Sequence, residues 1–249
     1  MKFIDWLYST YPNPKIEGEW GTLHIITLVA IIAMIVASSL LLKNKSDKTK
    51  RIVLWVMCGI IIFFEVARRV INLCKTTDYS VLNIFKILLP RPGCAISDWL
   101  VVIALIVNKK FFYNFASIVS ILCGTIFFAY PGAGFNNEII LFENLYSIVA
   151  HAMFYIVAIC FITYKFTDFK YKNCWKELIC FAVLIVYTFL EIYFKIESDP
   201  FYFVANNDIQ DIVGMAYSLY LPMYLIFICV YVNLYYLIGD RKNIFKRRK

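Results

Sequence analysis

The stretch TLHIITLVAIIAMIVASSLLLK, residues 22–43, carries no formal charge until Lys43 and only a histidine and four hydroxyls before it. A membrane's hydrocarbon core is about 30 Å thick, and an apolar helix of roughly 17 to 25 residues crosses it. The segment meets that requirement, and the rest of the chain is built the same way. Of the 249 residues, 61% are hydrophobic and 18% aromatic, with mean hydropathy +0.70. So much apolar side chain cannot be hidden in a water-soluble core.

Seven segments satisfy the length rule, at about 22–43, 52–74, 93–108, 111–130, 143–164, 177–196 and 212–238. The expected fold is therefore all-α: one polytopic bundle of seven transmembrane helices over 22–238, an extracellular segment 1–21 and a basic cytoplasmic tail 239–249. Met1 to Trp20 lack the unbroken apolar core of a secretory signal, so no cleavage is expected. The net charge of +8 would suit nucleic acid in a soluble chain. Here the Lys and Arg residues sit in short runs between apolar segments, and we read them as topology. Seventeen of the 25 fall in the first, third and fifth links and the tail. The positive-inside rule then puts the N-terminus outside and the C-terminus in the cytoplasm, as a multi-pass protein of the cell membrane.

Ionisable groups inside a span cost about 2.5 to 3.5 kcal/mol each at mid-helix unless partnered or wet. They share one depth here. His24 opens the first segment; Glu65, Arg68 and Arg69 lie in the outer half of the second; Cys94, Ser97 and Asp98 begin the third. Glu143, Asn144, Ser147 and His151 begin the fifth, Glu191 and Lys195 end the sixth, and Asp211 precedes the seventh. The inner half is almost purely apolar, which favours a pocket open to the outer leaflet and disfavours an ion path. Asn144, Ser147, His151 and Tyr155 step by three or four residues and share one helical face. Glu65 and Arg69 are one turn apart, most simply as a self-neutralising pair; the sharper alternative has Arg68, Arg69 or Arg91 holding a phosphate. Glu191 and Lys195 have the same spacing.

Within the run LLPRPGCAISD, residues 88–98, two prolines and a glycine deliver Cys94 to a helix start. The free N–H groups there favour a thiolate. His151 is the histidine deepest in a span and suits a general base. A Cys94–His151 dyad, oriented by Asp98 or Glu143, follows as candidate chemistry. A Cys74–Cys94 disulfide competes with it. The eight cysteines show neither C-x-x-C nor zinc-like spacing with the histidines, so neither metal nor cofactor is expected.

The order of these features resembles the YwaF-type bacterial integral membrane proteins, relatives of eukaryotic transmembrane acyltransferases that remodel phospholipids. The resemblance runs through His24, Glu65, the Leu89-Pro90…Cys94 element, His151 and the loop bearing Tyr202, Asn206 and Asn207. Pro92 stands where the family element has a histidine. The resemblance implies membrane lipids as partners and an acyltransferase using Cys94 and His151. The residues alone equally allow a transporter or binding component that takes a phospholipid or small polar ligand in the outer pocket, or a structural protein.

Overall fold

The computed structural model describes residues 3–8, 20–89, 93–129, 134–135, 140–194 and 213–241. Among them there is helix and no strand. In chain order the helices are α1 (Phe3–Leu7), α2 (Thr22–Leu42), α3 (Asp47–Lys75), α4 (Val81–Leu88), α5 (Gly93–Val107), α6 (Lys110–Ala129) and α7 (Phe142–Thr163). A 3-10 turn (Tyr171–Asn173), α8 (Cys174–Tyr193) and α9 (Tyr217–Gly239) follow. Each of the seven apolar segments thus contains a helix among its described residues. Four helices, α2, α6, α7 and α9, are long and apolar enough to cross a membrane. Helix α5 has 15 residues and is apolar but short, while α3 has 29 and carries charge at both ends.

Local chemistry sets the ends. Ser46 caps α3, its Oγ accepting from Thr49 N–H at 3.2 Å, so the helix begins a turn before its apolar run. Asp47 in the first turn and Lys75 in the last suit the helix dipole. Between α3 and α4 an Asx turn forms: Asp78 Oδ1 accepts from Ser80 N–H at 2.9 Å, and Ser80 Oγ accepts from Asn83 N–H at 3.3 Å. These caps start α4, a short helix that hydropathy over a 20-residue window does not register. Helix α9 begins at Tyr217, just after Gly214, whose φ of +66° interrupts the helical backbone still present at Val213.

The chain divides into two compact units, residues 1–89 with 94–166, and 90–93 with 167–249, where the sequence reading has one bundle. In the first unit α7 is the central helix, packed against α6, α3 and α2. Phe154, Ile156, Val157, Cys160 and Phe161 of α7 are fully buried. Helix α2 instead presents Ile25, Ile26, Val29, Ile32, Leu40 and Leu41 outward, as a lipid-facing helix would. In the second unit α8 packs on α9, and Phe169 contacts Tyr235 and Tyr236 with ring centroids 5.6 and 5.3 Å apart.

One end of the first unit gathers the basic links. Arg51 is hydrogen-bonded to Asn108, which turns α5 into α6 at φ +54°. Lys110 Nζ donates to the Lys165 carbonyl at 2.9 Å, and Tyr164 Oη to the Ser38 carbonyl at 3.2 Å. Lys43, Lys45, Lys48, Lys50 and Lys109 belong to the same links. His24, Glu65, Asp98 and His151 lie toward the other ends of their helices.

Candidate functional site

Glu65 is the hub of the polar layer. One per cent exposed, it accepts from Arg68 Nε at 3.2 Å and from Tyr146 Oη at 2.8 Å, and pairs with Arg69 Nη1. Helical spacing explains the two arginines: three and four residues on from Glu65, both return to its carboxylate. The self-neutralising pair is therefore real, but it is a triad. Arg69 also donates from Nε to the Leu88 carbonyl at 3.0 Å. The guanidinium carbons of Arg68 and Arg69 stand over Tyr146 and Trp99, 5.0 and 5.8 Å from the ring centroids.

Two guanidiniums against one carboxylate leave a positive charge, and Asp98 of α5 faces it, electrostatically coupled to Glu65, Arg68 and Arg69. Asp98 is 2% exposed, and among the described residues its Oδ1 has no hydrogen-bond partner. Arg69 Nη2 and Trp99 Nε1 are likewise buried and without a partner among the described residues. A crevice lined by Ile61, Ile62, Glu65, Asp98, Trp99 and Val102 lies beside these groups, too narrow for a water-sized sphere: aromatic and aliphatic side chains stand between Glu65 and Asp98.

The histidines lie elsewhere. His151 Nδ1 donates to the Ser147 carbonyl at 2.6 Å; its ring stacks on Phe127, with centroids 3.7 Å apart and planes at 14°, and Nε2 is buried without a partner among the described residues. A backbone carbonyl one turn back, rather than Asp98 or Glu143, orients this imidazole. His24 Nε2 donates to the Phe128 carbonyl at 3.0 Å, with Trp20 and Phe135 each 4.7 Å away by centroid. Both histidines therefore grip the last turn of α6.

Cys94 shares no hydrogen bond with His151. Its thiol faces that of Cys123 on α6. Cys74, the competing disulfide partner, is exposed, and every cysteine among the described residues is free. The structure thus places Cys94 beside Cys123 and bonds it to neither His151 nor Cys74. The face of α7 with Asn144, Ser147, His151 and Tyr155 packs on α6 and its outgoing loop. Asn144 Nδ2 donates to the Gly134 carbonyl at 3.4 Å, and the Tyr155 ring fills the space a Cβ on Gly124 would need. Glu191 accepts from Tyr187 Oη at 2.6 Å. Arg91, Lys195, Tyr202, Asn206, Asn207 and Asp211 lie outside the described residues.

Three participants escape a search for intramembrane charge: Tyr146, Trp99 and Cys123. The first two are amphipathic aromatics among forty Phe and Tyr residues and five Trp, and nothing local marks them. Cys123 was legible from the hairpin, since residues 94 and 123 are equally far from its turn. No protein family, curated protein or solved structure matches the chain.

Proposed function

We propose that the chain is a seven-span protein of the cell membrane, N-terminus outside, that binds the polar headgroup of an amphiphile between α3 and α5 without transforming it. One observation carries the binding reading: Arg69 Nη2, Trp99 Nε1 and Asp98 Oδ1 are all buried and without a hydrogen-bond partner among the described residues, and Trp99 and Asp98 line one narrow crevice. Buried polar groups are almost always satisfied, and each orphan costs about 1 to 3 kcal/mol. A ligand with an anionic oxygen for the two donors and an ammonium or hydroxyl for Asp98 would satisfy all three. A phospholipid headgroup with phosphate beside a primary amine has both, and opening the crevice by side-chain motion admits it. The basic links at one end of the first unit support the orientation.

The acyltransferase reading draws on one feature, the bare Nε2 of His151, the lone pair a general base uses. Cys94 facing Cys123 favours the non-enzymatic alternative. The test is native mass spectrometry of the purified protein with short-chain phosphatidylethanolamine or phosphatidylcholine. The amine headgroup should bind saturably, and Trp99→Phe and Asp98→Asn should each weaken binding about tenfold, the scale of one hydrogen bond to a charged group. Equal retention of both lipids by wild type and variants would refute it. Acyl transfer to or from the lipid, lost in Cys94→Ser and His151→Ala, would instead establish the enzyme.

A further inference from the structure

We propose that Cys94 and Cys123 are a redox pair that closes to a reversible disulfide and tethers the first turn of α5 to α6. Two independent observations place the thiols together. They face each other in the structure, and the hairpin sets them level. Helices α5 and α6 are joined by Asn108 and Lys109 alone, so residues equidistant from that turn come opposite each other. Cys94 and Cys123 are equidistant, each about 22 Å along its helix at 1.5 Å per residue. Ala95 and Ala104 of α5 are fully buried small residues that let α5 pack closely. Both cysteines are partly exposed, neither sealed like Cys58 and Cys160.

Closure forms one Sγ–Sγ bond and breaks two S–H bonds, releasing two protons and two electrons. A disulfide-donating thiol oxidoreductase takes the electrons and is itself reduced to a dithiol. On the proposed topology this end of the hairpin faces the exterior, where disulfides persist. The bridge would lie one helical turn from Asp98, on the helix that forms one wall of the crevice. The pairing itself stands whether or not the crevice binds a headgroup.

The full chain in detergent is treated with diamide, whose N=N bond takes up both electrons and both protons, then alkylated, digested and mapped by mass spectrometry. The expected result is a Cys94–Cys123 linked peptide, the loss of two alkylatable thiols and their return with dithiothreitol. Cys123→Ser and Cys94→Ser should each leave the remaining partner alkylatable, while Cys74→Ser should leave the bridge intact. Cys94 and Cys123 both still alkylatable in diamide-treated wild type, or Cys94 mapping to Cys74, would overturn the proposal, and that readout needs no variant to fold.

Discussion

The phenol of Tyr146 donates to Oε2 of Glu65 across 2.8 Å and 81 residues of sequence, joining α7 to α3 inside the apolar bundle. The bond satisfies an oxygen that Arg68 alone would leave half-solvated. Tyr146→Phe keeps the ring under Arg68 and should destabilise the protein by about 1.5 to 3 kcal/mol. Glu65→Ala, which strands two guanidiniums, should cost about 3 to 5 kcal/mol. Thermal unfolding in detergent would show the order, and a Tyr146→Phe midpoint equal to wild type would mean the bond contributes nothing.

Gly124 on α6 lies directly against Tyr155 of α7. A Cβ there would collide with Cδ2 of Tyr155, so Gly124→Ala should destabilise by about 1 to 3 kcal/mol through overpacking. Tyr155→Leu should relieve most of that loss. A double-mutant cycle measures the relief, and simple additivity would place the strain elsewhere.

The two histidines should be opposite in tautomer. His24 donates from Nε2 and His151 from Nδ1, and each has its second nitrogen buried without a partner among the described residues. Nitrogen chemical shifts from a histidine-labelled sample distinguish the two forms. The same tautomer at both positions would contradict the assignment.

Cys74 ends α3 away from the basic links and is exposed. On the proposed orientation a membrane-impermeant maleimide should label it in intact cells, whereas a cysteine introduced as Lys48→Cys should react only after permeabilisation. The reverse pattern would invert the topology.

In the α3–α4 turn, hydrogen bonds from Ser80 hold the exposed Asp78 carboxyl below its usual pKa. A group with depressed folded pKa stabilises above its unfolded value, near 3.9, and that support is lost as pH falls through the folded value. Asp78→Ala should therefore raise amide exchange at Ser80 and Asn83 at pH 7. Wild type and variant should converge once the pH falls below that depressed folded value.

Apolar run length located all seven helices to within a few residues, because hydropathy over 20 residues averages out local detail. It overlooked α4, which arises from the Asp78 and Ser80 caps instead. The Glu65–Arg69 pairing was legible because it is intrahelical and fixed by the 3.6-residue repeat. The neighbours of His151 were not, since they depend on which helix it faces, whereas Cys123 could have been placed level with Cys94 from the length of the α5–α6 hairpin. Level depth along the membrane normal brought Cys94, Asp98 and His151 into one layer, but the rotation of each helix about its axis turned them to different neighbours.

The central place of α7 also constrains biosynthesis. At about 5 to 20 residues per second, Tyr146 emerges from the ribosome some 4 to 16 s after Glu65. Through that interval α3 holds its carboxylate and two guanidiniums in or beside the bilayer without the phenol that completes them. Helices α2, α3 and α6 likewise wait for the surface on which all three pack. The first unit can assemble only when its last helix arrives, so a chain arrested before Phe142 should present its charged layer to the insertion machinery and to membrane quality control.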